Sequence, residues 1–405
     1  MKKKMYLFYI ILFMIIANGL TCMSTNNTGS PITQNNIANG SEYTTIITDG
    51  VLERIIEMDS EGDIIWELSD LSGPSDAERL SNGNTVICNH LFQQVFEANL
   101  AGGNVWEKKK LQTPFDAERL PNGNTLIANY NGGTVIEVDS DGIIVDILME
   151  DISAAYADVE RLDNGNTLIV CDTRDYIYEL NPNNEIIWEL FVDHNPTDVE
   201  RLSNGNTLIT NHGEEKVTEV NSLGETIWEI DGLIKPWDSE RLENGNTLIA
   251  DLSRVIEVDP DGDIVWEATG FEWAVDVERI YKTTNYKPGI DFENPEKGYY
   301  HLSGIPIMPN IFGVFTDTLT IGGFRLKPVL IKTVDDTDIS EDLTVKIYIN
   351  GDEKVTAGYN HNLDYHEWYW TGFALGIYEL TVTAEDSLGE TGTFETDIFN
   401  FCFIP

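Results

Sequence analysis

The chain has 405 residues, enough for two or three domains, and its 69 Asp and Glu against 25 Lys and Arg give a formal net charge of −44. Such a surface repels phosphate backbones and anionic lipid, which excludes nucleic acid as a partner and confines membrane contact to an N-terminal anchor. Hydrophobic content of 41% with 10% aromatic residues describes a folded core under an acidic surface, and four cysteines without a Cys-x-x-Cys pair exclude a disulfide-dense scaffold and the common zinc spacings.

Residues 1–22 read as a signal peptide: Lys2, Lys3 and Lys4 precede an apolar run over 5–17, and small or polar Asn18 and Gly19 follow. Thirteen apolar residues fall short of the roughly 20 that span a bilayer. Lipidation at Cys22 is the competing reading. Either way the chain is expected outside the cytoplasm, secreted or anchored at the cell surface, and removal of the leader takes its charge from −44 to −47. Residues 23–42 are rich in Ser, Thr and Asn and form a linker.

From 43 to 281 the chain repeats itself. Asp76-Ala77-Glu78-Arg79 recurs as Asp-x-Glu-Arg at Asp116, Asp158, Asp198, Asp238 and Asp276, at separations of 40, 42, 40, 40 and 38 residues. Five of these are followed by Asn-Gly-Asn-Thr, then an apolar strand, an alternating strand such as Val135-Ile136-Glu137-Val138, a tight turn and a strand ending in Trp-Glu. Four short strands per 40 residues, with no helical periodicity, predict a propeller blade. Thr44 to Asp49 and the strands after it match the later part of a unit, so the N-terminus completes a blade whose first strand is Asp276 to Ile280. The expected fold is all-β, a six-bladed β-propeller closed by this composite blade.

A sixfold motif suits packing better than chemistry on a small substrate, which needs asymmetric groups. Asp-x-Glu-Arg is therefore expected to lock blade to blade, and the alternative is a ring of catalytic carboxylates round the central channel. Asp59-Ser60-Glu61-Gly62-Asp63 and Asp259-Pro260-Asp261-Gly262-Asp263 echo calcium loops but lack the later bidentate Glu, so no metal site is expected. Trp66, Trp106, Trp188, Trp228 and Trp266 read as core between blades, and Cys88 and Cys171 as buried free thiols.

The phrase Asp-x-Glu-Arg-Leu-x-Asn-Gly-Asn-Thr-Leu-Ile-Ala, followed by Arg254-Val-Ile-Glu-Val-Asp-Pro-Asp-Gly-Asp-Ile-Val-Trp-Glu267, resembles the repeats of arylsulfate sulfotransferase-like propellers over residues 44 to 281. The resemblance implies secretion and transfer of a sulfuryl group from an aryl sulfate to a phenol through a channel histidine, aided by an arginine, with no cofactor. Many members of that family carry His directly before the repeat Asp. Here that column holds Ser75, Phe115, Ala157, Thr197, Trp237 and Val275. His90 and His212, each after Asn at the end of a second strand, are the catalytic candidates, and their units should face each other across the axis. The homologous column elsewhere is read as Tyr130, Thr173, Leu252 and Gly50. Six of ten Arg belong to the repeat; of Arg54, Arg174, Arg254 and Arg325, Arg174 breaks the pattern of its unit and is the candidate anion clamp. Tyr130 and Trp237 complete the candidate substrate-binding set. Quinone-binding propellers carry a tryptophan-docking pattern with Ala-x-Asp and Thr-Gly that is absent here.

Residues 282–298 read as a second linker. Alternation over 343–349, 367–370, 376–384 and 391–398, with an Asn350-Gly351 hairpin, resembles an immunoglobulin-like β-sandwich over 299–405, without the disulfide of antibody domains. Tyr365, His366, Trp368 and Trp370 are core residues or a carbohydrate-binding face. Two functions stay open: sulfuryl transfer between small aryl sulfates and phenols, or a non-catalytic module that binds an extracellular glycan or protein.

Overall fold

The computed structural model describes residues 43–151, 153–281, 289–294, 299–302, 305–309, 318–321, 329–334, 340–361, 365–368 and 374–402. The signal peptide and first linker, most of the second linker, Arg325 and Trp370 lie outside them. No helix among the described residues is long and apolar enough to cross a membrane.

Each repeat folds as its pattern dictates. After Arg79 the chain turns at Asn82-Gly83-Asn84: Gly83 takes φ 87°, which a side chain would resist, and the Asn82 carboxamide oxygen accepts the Asn84 N–H. Residues 74–109, 114–150, 156–191 and 196–230 form four separate antiparallel sheets, in each of which four strands pair in chain order. Call these units 1 to 4. A six-stranded sheet holds the remainder, joined by two long strands, Thr247–Val258 and Ile264–Tyr281. The early part of Ile264–Tyr281 pairs back onto Thr247–Val258 in unit 5. Its later part pairs with Tyr43–Asp49, Thr48 opposite Asp276 and Thr44 opposite Ile280, as the composite unit 6 requires.

The apolar clusters lie between neighbouring units. Ile46 and Ile55 of unit 6 pack with Ala77, Ile87 and Phe96 of unit 1, while Val86, Cys88 and Val95 of unit 1 pack with Ala117, Ile127 and Ile136 of unit 2. Each fully buried Ile or Val contributes roughly 1.5–3 kcal/mol, so the units are held to one another by the same residues that form their strands. Cys88 and Cys171 are buried and free.

The sixfold motif locks unit to unit. Oδ2 of Asp76, Asp116, Asp158, Asp198 and Asp238 accepts the backbone N–H of Ala117, Val159, Val199, Ser239 and Val277, and Asp276 closes the cycle onto Ala77. Two residues on, the Glu of each motif accepts the N–H of the next motif's Arg, from Glu78 to Arg119 round to Glu278 and Arg79. The Arg side chain reaches back to the preceding unit's third strand, as in Arg79–Glu57 at 2.6 Å and Arg279–Glu257 at 2.9 Å. The second oxygen of such a Glu binds the Asn of its own Asn-Gly-Asn turn, for example Asn84 to Glu97 at 2.6 Å. Trp66, Trp106, Trp188 and Trp228 lie under the Arg guanidinium and donate Nε1–H to a backbone carbonyl of the next unit. Unit 2 has Asp146 in the Trp place, and Asn184 of unit 3 donates to it instead. A closed ring of antiparallel units made this way is a β-propeller.

The calcium-like loops are stapled turns: Asp59 and Asp259 each accept two N–H groups of their own turn through Oδ1. In the C-terminal third, Gly289–Asn294 pairs with Val329–Val334, so a strand lies within the stretch read as the linker 282–298; Pro288 and Asn294 mask the alternation that buries Ile290. Two sheets share one core there, Ile290 and Ile331 from one with Val345, Ile347, Leu380 and Val382 from the other. His366 is buried in this part of the chain.

Candidate functional site

Two consecutive residues of each first strand face the central channel, which the alternation of a regular strand forbids. A β-bulge brings this about. Pro74 pairs with Asn89 but Asp76 with Cys88, leaving Ser75 as the extra residue, and the same slip recurs at Phe115, Ala157, Thr197, Trp237 and Val275. These six bulge residues and the six Asp line a single cavity of about 30 Å³, room for about one or two water molecules.

The carboxylates crowd one another. Burial pushes Asp276 up to about 7 and Asp198 to about 6 against the hydrogen bonds they accept, and burial followed by repulsion within the ring raises Asp76, Asp116, Asp158 and Asp238 well above the ordinary range. The Glu layer behaves alike, with burial raising Glu78 to about 7 and Glu160 and Glu278 to about 8. With every Asp tied to the next unit's backbone, this layer is symmetric and structural.

Above it the symmetry breaks. In four of the six bulge positions the residue is Ser, Ala, Thr or Val, but Phe115 and Trp237 come from units 2 and 5, opposite one another in the hydrogen-bond cycle, and their ring centroids lie 5.9 Å apart. The residue after each second strand forms the next layer. The pairing of Tyr156 with Cys171 matches that of Pro114 with Asn129 and Pro196 with Asn211, so unit 3 contributes Asp172 and not Thr173. The sequence reading slipped by one because Cys171 replaces the Asn or Asp that marks the strand end in the other units. The layer is thus His90, Tyr130, Asp172, His212, Leu252 and Gly50.

Four of the five predicted site residues are brought together. His90 meets Phe115 edge-on at 5.6 Å, Phe115 meets Tyr130 at 5.2 Å, and His212 meets Trp237 at 4.4 Å, with Trp273 a further 5.1 Å from Trp237. The Tyr130 hydroxyl donates to the Asp172 carboxylate, which is only 8% exposed. Burial raises the Asp172 carboxyl and this hydrogen bond opposes the rise. His212 Nδ1 sits 3.2 Å from the Pro236 carbonyl oxygen; a carbonyl only accepts, so Nδ1 carries the proton and Nε2 the lone pair. Burial and the Lys235 ammonium hold the His212 imidazole below its usual range, and Asp172 opposes them. Burial likewise lowers His90. His90 Nδ1 and the indole nitrogens of Trp237 and Trp273 are buried and have no hydrogen-bond partner among the described residues.

Arg174 stands apart from this chain of contacts. Its guanidinium binds the Asp151 carboxylate and the Ser153 hydroxyl in the connection ahead of unit 3, so the predicted anion clamp is already engaged by a carboxylate. Arg54 pairs with Glu67, and Arg254 with Asp251 and Glu267. Sequence reasoning missed Phe115, Asp172 and Trp273 as site residues. For Phe115 the signal was present: it and Trp237 are the only rings in a column of small side chains.

The fold and mouth define a β-propeller with a small aromatic and histidine-lined site at one end of its channel. No protein-family model matches the sequence, and no curated protein does. A solved structure of a protein of unknown function from Bacteroides caccae aligns with a TM-score of 0.53 and 17% identity, covering 60% of this chain and 100% of that one, a likeness of fold. A streptogramin B lyase aligns with a TM-score of 0.45 and 14% identity over 58% of this chain and 85% of its own. Virginiamycin B lyase from Staphylococcus aureus gives 0.45 and 12% over 59% and 88%.

Proposed function

We propose that the chain is an extracytoplasmic six-bladed propeller, exported by the leader at 1–22 and carrying an immunoglobulin-like module at its C-terminus, whose channel mouth binds a small planar ligand. One observation carries this reading. On a scaffold that repeats six times, the layer at the mouth abandons the repeat: His90, Phe115, Tyr130, Asp172, His212 and Trp237 converge there. Packing needs the same part in every unit, whereas ligand recognition needs different ones. Titration of the protein with p-nitrophenol, followed by tryptophan fluorescence and calorimetry, tests it: saturable binding lost in Trp237→Ala is the expected result, and absence of binding by wild type rejects it.

Sulfuryl transfer through a histidine, as in arylsulfate sulfotransferase-like propellers, is the second reading, favoured by the His212 tautomer that leaves Nε2 as a nucleophile. Against it stand the engaged Arg174 and the carboxylates beneath the mouth, since a transferring sulfuryl group needs cationic partners. Turnover of p-nitrophenyl sulfate that disappears in His212→Ala supports this reading over simple binding.

A further inference from the structure

We propose that Asn131-Gly132, in the loop that follows Tyr130 at the channel mouth, is a site of spontaneous succinimide formation and deamidation, and that the fold protects the five Asn-Gly pairs of the repeat from the same reaction.

The reaction needs a backbone nitrogen free to attack and a side-chain carbonyl free to be attacked. In Asn-Gly the missing Cβ of the second residue leaves that nitrogen unhindered. Six such pairs lie between residues 43 and 281, at Asn82, Asn122, Asn131, Asn164, Asn204 and Asn244, and all six Asn are exposed. Water reaches each of them, so exposure does not tell them apart. Hydrogen bonding does.

In the five repeat turns both reacting groups are engaged. The N–H of Gly83, Gly123, Gly165, Gly205 and Gly245 donates to the carbonyl of the Leu three residues back, at 2.8–2.9 Å. The carboxamide oxygen of each Asn accepts the N–H two residues on, again at 2.8–2.9 Å. Cyclisation there requires the turn to open first, and its rate is scaled down by the small population of the open form.

The loop of unit 2 lacks both locks. Asn131 donates its own N–H to Thr113 Oγ1 at 2.9 Å, but among the described residues neither its carboxamide nor the Gly132 N–H has a hydrogen-bond partner. In unit 1 the same loop is tied by the Gln93 N–H to the His90 carbonyl at 3.1 Å, whereas Gly133, the counterpart of Gln93, makes no such bond among the described residues. Glycine is also imposed here, since a Cβ on residue 132 would lie 3.1 Å from the Cβ atoms of Asn129 and Gln112. Packing thus fixes the residue type that leaves the nitrogen open to reaction.

The chemistry needs water and no other co-reactant. The Gly132 nitrogen bonds to Asn131 Cγ, its proton leaves with the departing carboxamide nitrogen as ammonia, and a cyclic imide remains. Water then cleaves either the new C–N bond, giving aspartate, or the original peptide bond, giving isoaspartate. Either product places a carboxylate one residue after Tyr130, whose hydroxyl binds Asp172, and leaves the repeat turns intact.

The test follows the full chain in mildly alkaline buffer by ion exchange and peptide mass mapping, both folded and in guanidinium. In the folded protein Asn131 is expected to convert at least about tenfold faster than any repeat Asn, a factor within reach of two ordinary hydrogen bonds, and to give a mixture of aspartate and isoaspartate. In guanidinium the six sites should convert at comparable rates. Asn131→Gln, whose longer side chain cyclises slowly, should remove the early species with one extra negative charge. Circular dichroism shows whether that variant folds, and the wild-type rates decide the matter if it does not. A folded-state rate at Asn131 no greater than at the repeat turns, a product free of isoaspartate, an early acidic species that persists in folded Asn131→Gln, or an advantage of Asn131 undiminished in guanidinium overturns the proposal.

Discussion

Phe115 and Trp237 meet across the channel from opposite units, their ring centroids 5.9 Å apart, and close one end of a cavity whose wall is a ring of six aspartates. Both sit on β-bulges, which is why each can face the channel beside the Asp that follows it. The pair divides the molecule into a symmetric layer that holds the ring shut and an asymmetric layer that recognises something, and the predictions below separate the two.

The ring depends on ion pairs whose burial differs. Arg79 and Glu57 are 1% and 8% exposed, Arg161 and Glu137 24% and 13%. Removing one partner of a buried pair strands the other charge and costs about 3–5 kcal/mol, whereas a more exposed pair is worth about 1 kcal/mol or less. Glu57→Ala is therefore expected to lower the urea midpoint far more than Glu137→Ala. Equal shifts would show that burial does not set the strength of these locks.

The carboxylate layers predict an unusual pH dependence. Their folded pKa values are raised, to about 7 for Asp276 and about 8 for Glu160 and Glu278, so between the unfolded values near 4 and these values the folded state holds more protons than the unfolded one. Stability is then greatest at the acid side of this window and falls as pH rises to about 8. The melting temperature at about pH 5 should exceed that at about pH 8, and added salt should narrow the gap by screening. Asp276→Asn keeps an acceptor for the Ala77 N–H and removes a charge, so it should raise the melting temperature at the alkaline end. A melting temperature that climbs from about pH 5 to about pH 8 contradicts the account.

Unit 2 lacks the tryptophan that stacks under the repeat Arg elsewhere. Asp146→Trp restores a ring for Arg161, and a cation–π contact at a half-exposed site is worth about 0.5–1 kcal/mol. A gain of a few degrees is expected by thermal unfolding, reduced by loss of the Asn184 bond to Asp146. Destabilisation would mean that the polar exchange at this junction is the better fit.

At the mouth, the His212 imidazole is held down by burial and Lys235 and up by Asp172. By NMR titration its pKa should lie below the usual value, rise in Lys235→Ala and fall further in Asp172→Asn. Movement in the same direction in both variants would separate His212 from one of these neighbours.

Much of the fold was legible because the repeat states it six times: strand, Asn-Gly turn, alternating strand, turn. The closing strand was legible too, since Thr44 to Asp49 copies Asn246 to Asp251, and the two pair as expected with neighbours in register. The site was legible only in part. Residue type pointed to His90 and His212, each following the Asn that ends a second strand. The bulge before every Asp is a backbone event with no consistent residue signature, the residue ahead of it being Pro, Tyr or Ala, so it was not foreseen that Phe115 faces the channel. The pairing of Arg174 was not legible for a related reason: its partner Asp151 lies in a connection outside the repeat, and proximity across such a connection is invisible to periodicity.

The central claim is that recognition and ring closure reside in different layers. Its most direct test is the affinity for p-nitrophenol and the melting temperature, measured together for His212→Ala and Asp172→Asn at the mouth and for Asp198→Asn in the ring. The account predicts that the mouth variants lose affinity about tenfold with little change in melting temperature, while Asp198→Asn shifts the melting temperature and binds as wild type does. Affinity that survives both mouth variants and collapses in the ring variant would contradict it.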